Sequence, residues 1–308
     1  MRCRRALRMA LCLAVALVTS ALFGTSLAGG SADRSIASYR RVSVSISRLH
    51  IVDHHRWTVS HGHVLSHVRR LPTMLLRPSS PGPHALVVFC HGYDSNPEAY
   101  LHLLRHWAAA GFVVVAPYFP LTRKRAGRWL DENDVANQPG DVSVVITGVL
   151  HSLGSNVQRN HIIVAGHSDG GSTAFMVGFQ RHDADPRVSA IMAFSADRWG
   201  PGSQFSAPRG RLPVLLVQSN HDESNPPHAA RVLWNIAKPP KMYLHLEGAS
   251  HAAPFMSASP WRSVVEAVTT DFLRAWTTTR GAERSAELRA ADRDGKHPGL
   301  SFVTDRRS

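Results

Sequence analysis

Cysteine is nearly missing from this chain of 308 residues, which has three. Cys3 and Cys12 fall in a segment that reads as a removable leader. The remaining chain keeps Cys90 alone and cannot close an internal disulfide. Cys90 ends an apolar run, where a buried and inert thiol is expected. Acidic residues are also scarce, 22 against 35 Lys and Arg, for a formal charge of +13. The balance stays basic without Arg2, Arg4, Arg5 and Arg8. Such an excess keeps an exported protein soluble, and it can also hold a protein near anionic polymers or lipid headgroups. Charged residues make up 19% and hydrophobic residues 44%, which excludes a chain disordered throughout. No apolar run reaches the roughly 20 residues of a membrane span. There is no internal repeat, and no second domain fits beside one α/β domain of ordinary size.

What is present begins with the leader. Arginines at 2, 4, 5 and 8 precede the apolar run Met9 to Phe23, and Ser26-Leu27-Ala28 supplies small residues for cleavage. Residues 1–28 therefore read as a secretory signal peptide cut after Ala28, and the Arg4-Arg5 pair admits a twin-arginine route. Residues 29–40 read as a connector, 41–277 as the folded domain, and 278–308 as a charged, flexible tail.

Within the domain, Arg41 to Ser47 alternates apolar and polar residues, the pattern of a half-buried strand. Val59 to Val64 predicts two strands meeting at Gly62, and Leu71 to Leu76 another. Six histidines (His50, His54, His55, His61, His63 and His67) crowd this region. On one strand His61 and His63 would share a face, which permits a metal, but a solvated hairpin explains them as well. No metal site is assigned. From Ala85 the strands become continuous apolar runs, as expected of a sheet covered on both faces. They are Ala85–Cys90, Phe112–Ala116, His161–Ala165, Val188–Phe194, Pro213–Gln218 and Lys241–Leu246. Helical stretches alternate with them: 96–110, 141–153, the stretch after Gly171, 226–237 and 257–276. The pattern predicts a mostly parallel sheet with helices on both faces.

The chemistry centres on Gly166-x-Ser168-x-Gly170, set between a buried strand and a helix-compatible stretch. That context is a nucleophile elbow, in which small neighbours let the turn close and leave the hydroxyl proud of the strand end. A serine hydroxyl needs a base and a group that orients the base. In this order of elements the acid should come next and the histidine last. Asp222 follows the 213–218 strand and His251 follows the 241–246 strand. The expected catalytic set is therefore Ser168, Asp222 and His251, with Asp197 as the main rival acid and Glu223 a lesser one. The oxyanion needs two backbone N–H donors, expected from Tyr93 and Asp169. The Asp169 carboxyl should point away from that hole, toward a basic group.

Phe89-Cys-His-Gly-Tyr93, Phe112-Val-Val-Val-Ala-Pro117, Gly166-His-Ser-Asp-Gly-Gly171, Asp222 and Gly248-Ala-Ser-His251 together resemble the α/β-hydrolase superfamily. Within it the chain is similar to the dienelactone-hydrolase-like branch, which includes chlorophyllase-like and cutinase-like polyester hydrolases. Dienelactone hydrolase proper uses cysteine as nucleophile. Ser168 stands in that place here and points to ordinary ester hydrolysis. The resemblance implies an α/β-hydrolase fold, an esterase, lipase or cutinase-like activity, and no cofactor. It places Trp199 where the polyester hydrolases have a ring-stacking tryptophan, with Tyr93 as a second substrate contact. The link from Phe194 to Pro213 is too short for a large cap. The expected partner is a small or polymeric ester, with no nucleic acid and no stable membrane anchor after leader removal, and the protein is expected to be a monomer. Amide hydrolysis or acyl transfer on the same residues, or a non-catalytic protein that binds anionic polymer, remain open readings.

Overall fold

The computed structural model describes residues 42–198, 205 and 212–307. The leader and connector read at residues 1–40, and Trp199, lie outside them. The alternating stretch that starts the domain becomes β1 (Val44–Asp53). β2 (Thr58–Ser60) and β3 (His63–Ser66) form a separate hairpin, and β4 (Arg69–Pro78) returns to the main sheet. The hairpin turns at His61 and Gly62, with φ of 48° and 80°. His61 thus sits in the turn and not on a strand beside His63. Among the described residues no group of three or more His, Cys, Asp or Glu is placed to hold a metal.

The predicted alternation follows: β5 (His84–Cys90), α1 (Leu101–Ala109), β6 (Val113–Pro117), α2 (Gln138–Leu153), β7 (Val157–His167), α3 (Asp169–Phe179) and β8 (Val188–Phe194). Then come β9 (Val214–Ser219), α4 (Pro227–Ile236), β10 (Lys241–Leu246), α5 (Ala253–Met256) and α6 (Arg262–Thr277). The closing helix is later than its apolar pattern suggested, because Pro260 stands just before its first turn and α5 forms a short piece of its own.

The nine-stranded sheet has the order β1-β4-β6-β5-β7-β8-β9-β10 and a final edge strand. The strands from β6 to β10 run parallel, and β1 and β4 are antiparallel. This is the mostly parallel architecture of an α/β-hydrolase fold. Alternate residues of β5 serve opposite faces. Val87 and Phe89 pack with Trp107 of α1 and Phe272 of α6, and Leu86 and Val88 pack with Val145 of α2 and Phe175 of α3. Both faces being covered is why the central strands carry no polar alternation. β5 and β7 are neighbours whose onward connections run to opposite sides, to β6 and to β8. A crevice opens at such a point in parallel sheets.

The tail expected at 278–308 is instead structured. α7 (Gly281–Asp294) and β11 (Ser301–Arg306) follow α6, and β11 pairs antiparallel with β10 along its length. The sequence pattern missed β11 because edge pairing uses backbone groups, which polar residues supply as well as apolar ones. Leu288 and Ala291 are buried, and Phe302 stacks on His245 with ring centroids 4.1 Å apart.

The buried polar groups include one ion network. Arg69 of β4 donates to both oxygens of Asp134 at 2.8 and 2.9 Å and to both oxygens of Asp141 at 2.8 and 2.6 Å. Arg56 donates to Asp141 and to Asp53, so the hairpin region, β4 and α2 share one ion network. Removing Arg69 would leave buried Asp134 without a counter-charge and buried Asp141 with Arg56 alone. Arg69→Met is expected to lower stability by about 3 kcal/mol or more in urea unfolding, the usual cost of breaking a buried pair from one side.

Candidate active site

The elbow is formed by close backbone approaches that only glycine allows. A Cβ at Gly166 would lie 2.0 Å from the Gly170 carbonyl oxygen, and one at Gly170 would lie 2.1 Å from the Cys90 oxygen. β7 can therefore run into α3 with a single residue between them. That residue, Ser168, takes φ 58° and ψ −124°, a conformation that side chains rarely adopt. The Ser168 N–H donates to the Phe194 carbonyl at 2.9 Å, and its own carbonyl accepts from Ser172 N–H at 3.0 Å.

The loop after β5 lies against this serine. A Cβ at Gly92 would come within 3.1 Å of the Ser168 Cβ. His91 sets the loop's shape. Phe119 N–H donates to its Nε2 at 3.2 Å, so its Nδ1–H donates to the Gly92 carbonyl at 2.8 Å. Burial in the first place holds the His91 pKa down to about 4, so the ring stays neutral in this role. Tyr93 follows at the surface of the same turn, with 39% exposure. Asp169 is the first residue of α3, where backbone N–H groups have no partner inside the helix. The two expected donors thus stand on the two segments that flank Ser168.

Asp222 and His251 come together from the loops after β9 and β10. Nδ1 of His251 lies 2.8 and 3.0 Å from the two Asp222 oxygens. The carboxylate also accepts from the N–H groups of Ser224 and Asn225 and from the Gln218 amide at 3.0, 2.8 and 3.0 Å. Burial raises its pKa, but the bonds from His251 and Asn225 outweigh that and bring it down to about 2. Asp197 is exposed, and its carboxylate accepts from its neighbour Arg198 N–H. Glu223 accepts the His251 backbone N–H at 3.0 Å, so it fixes the loop and not the ring.

Residues that pattern reading did not single out complete the arrangement. His167 precedes Ser168, and its Nε2–H donates to the His251 carbonyl at 2.9 Å. Its Nδ1 therefore accepts from the Tyr100 hydroxyl at 2.9 Å, and that hydroxyl in turn accepts from Gly92 N–H at 3.2 Å. One chain of bonds ties the Gly92 loop to the His251 loop through the elbow. The rings of His167 and His251 lie 4.6 Å apart. Burial, with His251 beside it, takes the His167 pKa down to about 3. A histidine in the variable position of the serine motif was visible in the sequence, but its partners are 67 and 84 residues away.

Asp169 departs from expectation. Its Oδ2 is buried without a hydrogen-bond partner, and among the described residues its carboxyl forms no ion pair. Burial, with Glu132 nearby, raises its pKa to about 7. A carboxyl that keeps its proton near neutrality is compatible with the developing negative charge of an oxyanion beside it.

With this geometry in place, comparison with known proteins identifies relatives. The chlorophyllase family model matches residues 49–197. That stretch holds Tyr93 and Ser168 and stops before Asp222 and His251. Chlorophyllase-1, chloroplastic, of Citrus unshiu is 30% identical over 114 residues, covering 35% of this chain and 33% of its own. Chlorophyllase type 0 of Chenopodium album is 28% identical over 129 residues, 39% of this chain and 37% of its own. Chlorophyllase-2 of Arabidopsis thaliana is 26% identical over 166 residues, 49% and 51% of the two chains. The alignments thus span between a third and about half of these relatives' length. They fall within the branch that the motifs at 89–93, 112–117 and 166–171 suggested.

The Asp169 environment has a pH signature. The folded protein holds this proton up to about pH 7, whereas an unfolded aspartate releases it near 3.8. More protons are bound in the folded state across that window, so stability falls as pH rises through it. Asp169→Asn is expected to remove this fall. The melting temperature of the variant should gain on the native chain between pH 4 and 7.5, and parallel curves would contradict the assignment.

Proposed function

We propose that this α/β-hydrolase-fold chain, similar over residues 49–197 to the chlorophyllases, hydrolyses carboxylic esters through an acyl-enzyme on Ser168. The observation that carries the reading is the His251–Asp222 contact at 2.8 Å, brought by two separate loops to the elbow. The relatives support the reaction class, since chlorophyllases are carboxylic ester hydrolases.

In this reading the Ser168 hydroxyl attacks the ester carbonyl carbon as His251 Nε2 takes its proton. Asp222 keeps Nδ1–H directed at itself, which leaves Nε2 free as the base and stabilises the imidazolium that forms. The tetrahedral oxygen is received by the Tyr93 and Asp169 amides, fixed before reaction by His91 and by the start of α3. His251 returns the proton to the leaving alcohol. Water then repeats the sequence on the acyl-enzyme and releases the acid. His167, neutral throughout, holds the backbone of the base without competing for its proton.

The leader read at residues 1–28 supports export from the cell that makes the protein. Two Citrus relatives are described as chloroplastic, an address that belongs to them. No helix among the described residues is long and apolar enough to cross a membrane.

Two variants test the assignment. Ser168→Ala should lower turnover of p-nitrophenyl esters by roughly 10³ or more. A fluorophosphonate should label Ser168, and an adduct on another residue would remove it as nucleophile. Asp222→Asn should leave a folded protein with turnover reduced by about 10³–10⁴, because His251 loses the partner that fixes its tautomer. Asp197→Asn should have a small effect, and the reverse order would move the acid to the earlier strand. Esters of graded chain length, together with a polyester film, would define the acyl preference.

A further inference from the structure

A cavity of about 570 Å³ lies beside the segment after β5. Pro72 and Tyr118 line it beside Arg48, and Asn96 and Glu98 line it beside Arg123 and Arg125. Three guanidiniums face one carboxylate, and that carboxylate is already engaged. Glu98 accepts from the Tyr118 hydroxyl and lies 3.9 Å from Arg48, which also donates to the Tyr118 oxygen at 3.0 Å.

The other two arginines lack acceptors. Nε of Arg123 is buried and has no hydrogen-bond partner, and neither Arg123 nor Arg125 forms an ion pair among the described residues. A buried charged donor without an acceptor is costly, and native structures rarely keep one. Arg125 also sits at φ 94°, where glycine would be relaxed and a side chain is strained. Lys124 and Arg128 on the same loop add to the positive field. Three arginines around a concavity whose one carboxylate is already engaged suit an anion that arrives from outside, and guanidiniums match the paired oxygens of carboxylate or phosphate.

The cavity is tied to the candidate active site. Asp94 N–H donates to the Thr122 carbonyl at 2.8 Å and Lys124 N–H to the Ser95 carbonyl at 2.9 Å. The arginine loop is thus paired with the segment that begins at His91 and Gly92. Asn96 is four residues beyond Gly92, a span of at most about 14 Å.

We propose that this cavity is an anion site that takes a small organic molecule bearing a carboxylate or phosphate group. Binding itself does not depend on the esterase reading. Only the question of whether the anion is the far end of the substrate rests on it.

The test has two arms. In the first, inorganic phosphate and succinate are titrated at constant ionic strength while the melting temperature is followed. The native chain should be stabilised, and Arg123→Gln and Arg125→Gln should each lose most of the shift. Arg289→Gln, an exposed charge on α7, should keep it. Arg125→Gly should lose the shift without lowering the melting temperature of the free protein, since it relieves the positive φ. In the second arm, mono-p-nitrophenyl esters of dicarboxylic acids of rising length are compared with their neutral methyl-capped counterparts. A substrate tail predicts a rise in kcat/KM of about tenfold at one length, as for one charge-assisted contact, and its loss in the two glutamine variants. A free anion predicts the thermal shift with no preference for anionic esters. Absence of the shift together with a flat ester series overturns the proposal, and so does equal loss of the shift in Arg289→Gln. If no ester is cleaved, the thermal arm still decides on the anion site while the esterase reading fails separately.

Discussion

The site depends on a turn that backbone sterics would ordinarily forbid. Ser168 is held at φ 58° between a strand and a helix that meet with no intervening loop. A strained non-glycine conformation of this kind costs on the order of 1–3 kcal/mol and persists only where its surroundings over-determine it. Here the surroundings are backbone atoms. Gly166, Gly170 and Gly171 each lie where a Cβ would collide with a carbonyl or a neighbouring side chain, so β7, α3 and the end of β5 are in direct contact. That contact places the serine at the open end of the sheet and brings the Gly92 turn against it. The fully buried apolar strands beneath supply the rigidity that keeps the turn in place.

A second layer of order comes from neutral histidines. His91 and His167 are buried, and burial keeps both uncharged over the range in which His251 would work. Each then has one donor and one acceptor nitrogen, and its partners fix which is which. His91 sets the turn that carries the Tyr93 amide. His167 links the Tyr100 hydroxyl to the His251 carbonyl. A charged ring in either place would break this order, because it would have two donors and face an N–H or a hydroxyl held as a donor. The low dielectric of the interior is what makes such a network specific.

The charges around the site divide by environment. Asp222 is also screened from water but is met by four donor groups, so it is ionised at every working pH. Asp169 is enclosed with no donor at its second oxygen and with Glu132 nearby, so it keeps its proton near neutrality. Two aspartates a short distance apart therefore carry different charge because one has partners and the other does not. The basic excess of the chain also has a location. Part of it gathers at Arg48, Arg123 and Arg125 around one concavity, where a single carboxylate, Glu98, faces three guanidiniums.

Local pattern determined the alternation of strands and helices, the elbow at Ser168 and the chain order of acid and base. These rest on periodicity, on glycine at a tight turn and on loops that follow strands, and each is visible within a window of a few residues. The motifs at 89–93 and 166–171 pointed to the same family as the later comparisons for that reason. The C-terminal strand β11 was misread as tail because an edge strand draws its stability from a partner's backbone, which leaves no apolar signature in its own residues. The Asp222–His251 contact, the orphaned Asp169 carboxyl, the bond chain from Gly92 to His251 and the arginine cavity were decided by tertiary structure alone. Each depends on side chains that lie far apart in sequence and meet only when the loops at one end of the sheet are packed together, and burial at that meeting fixes their charge.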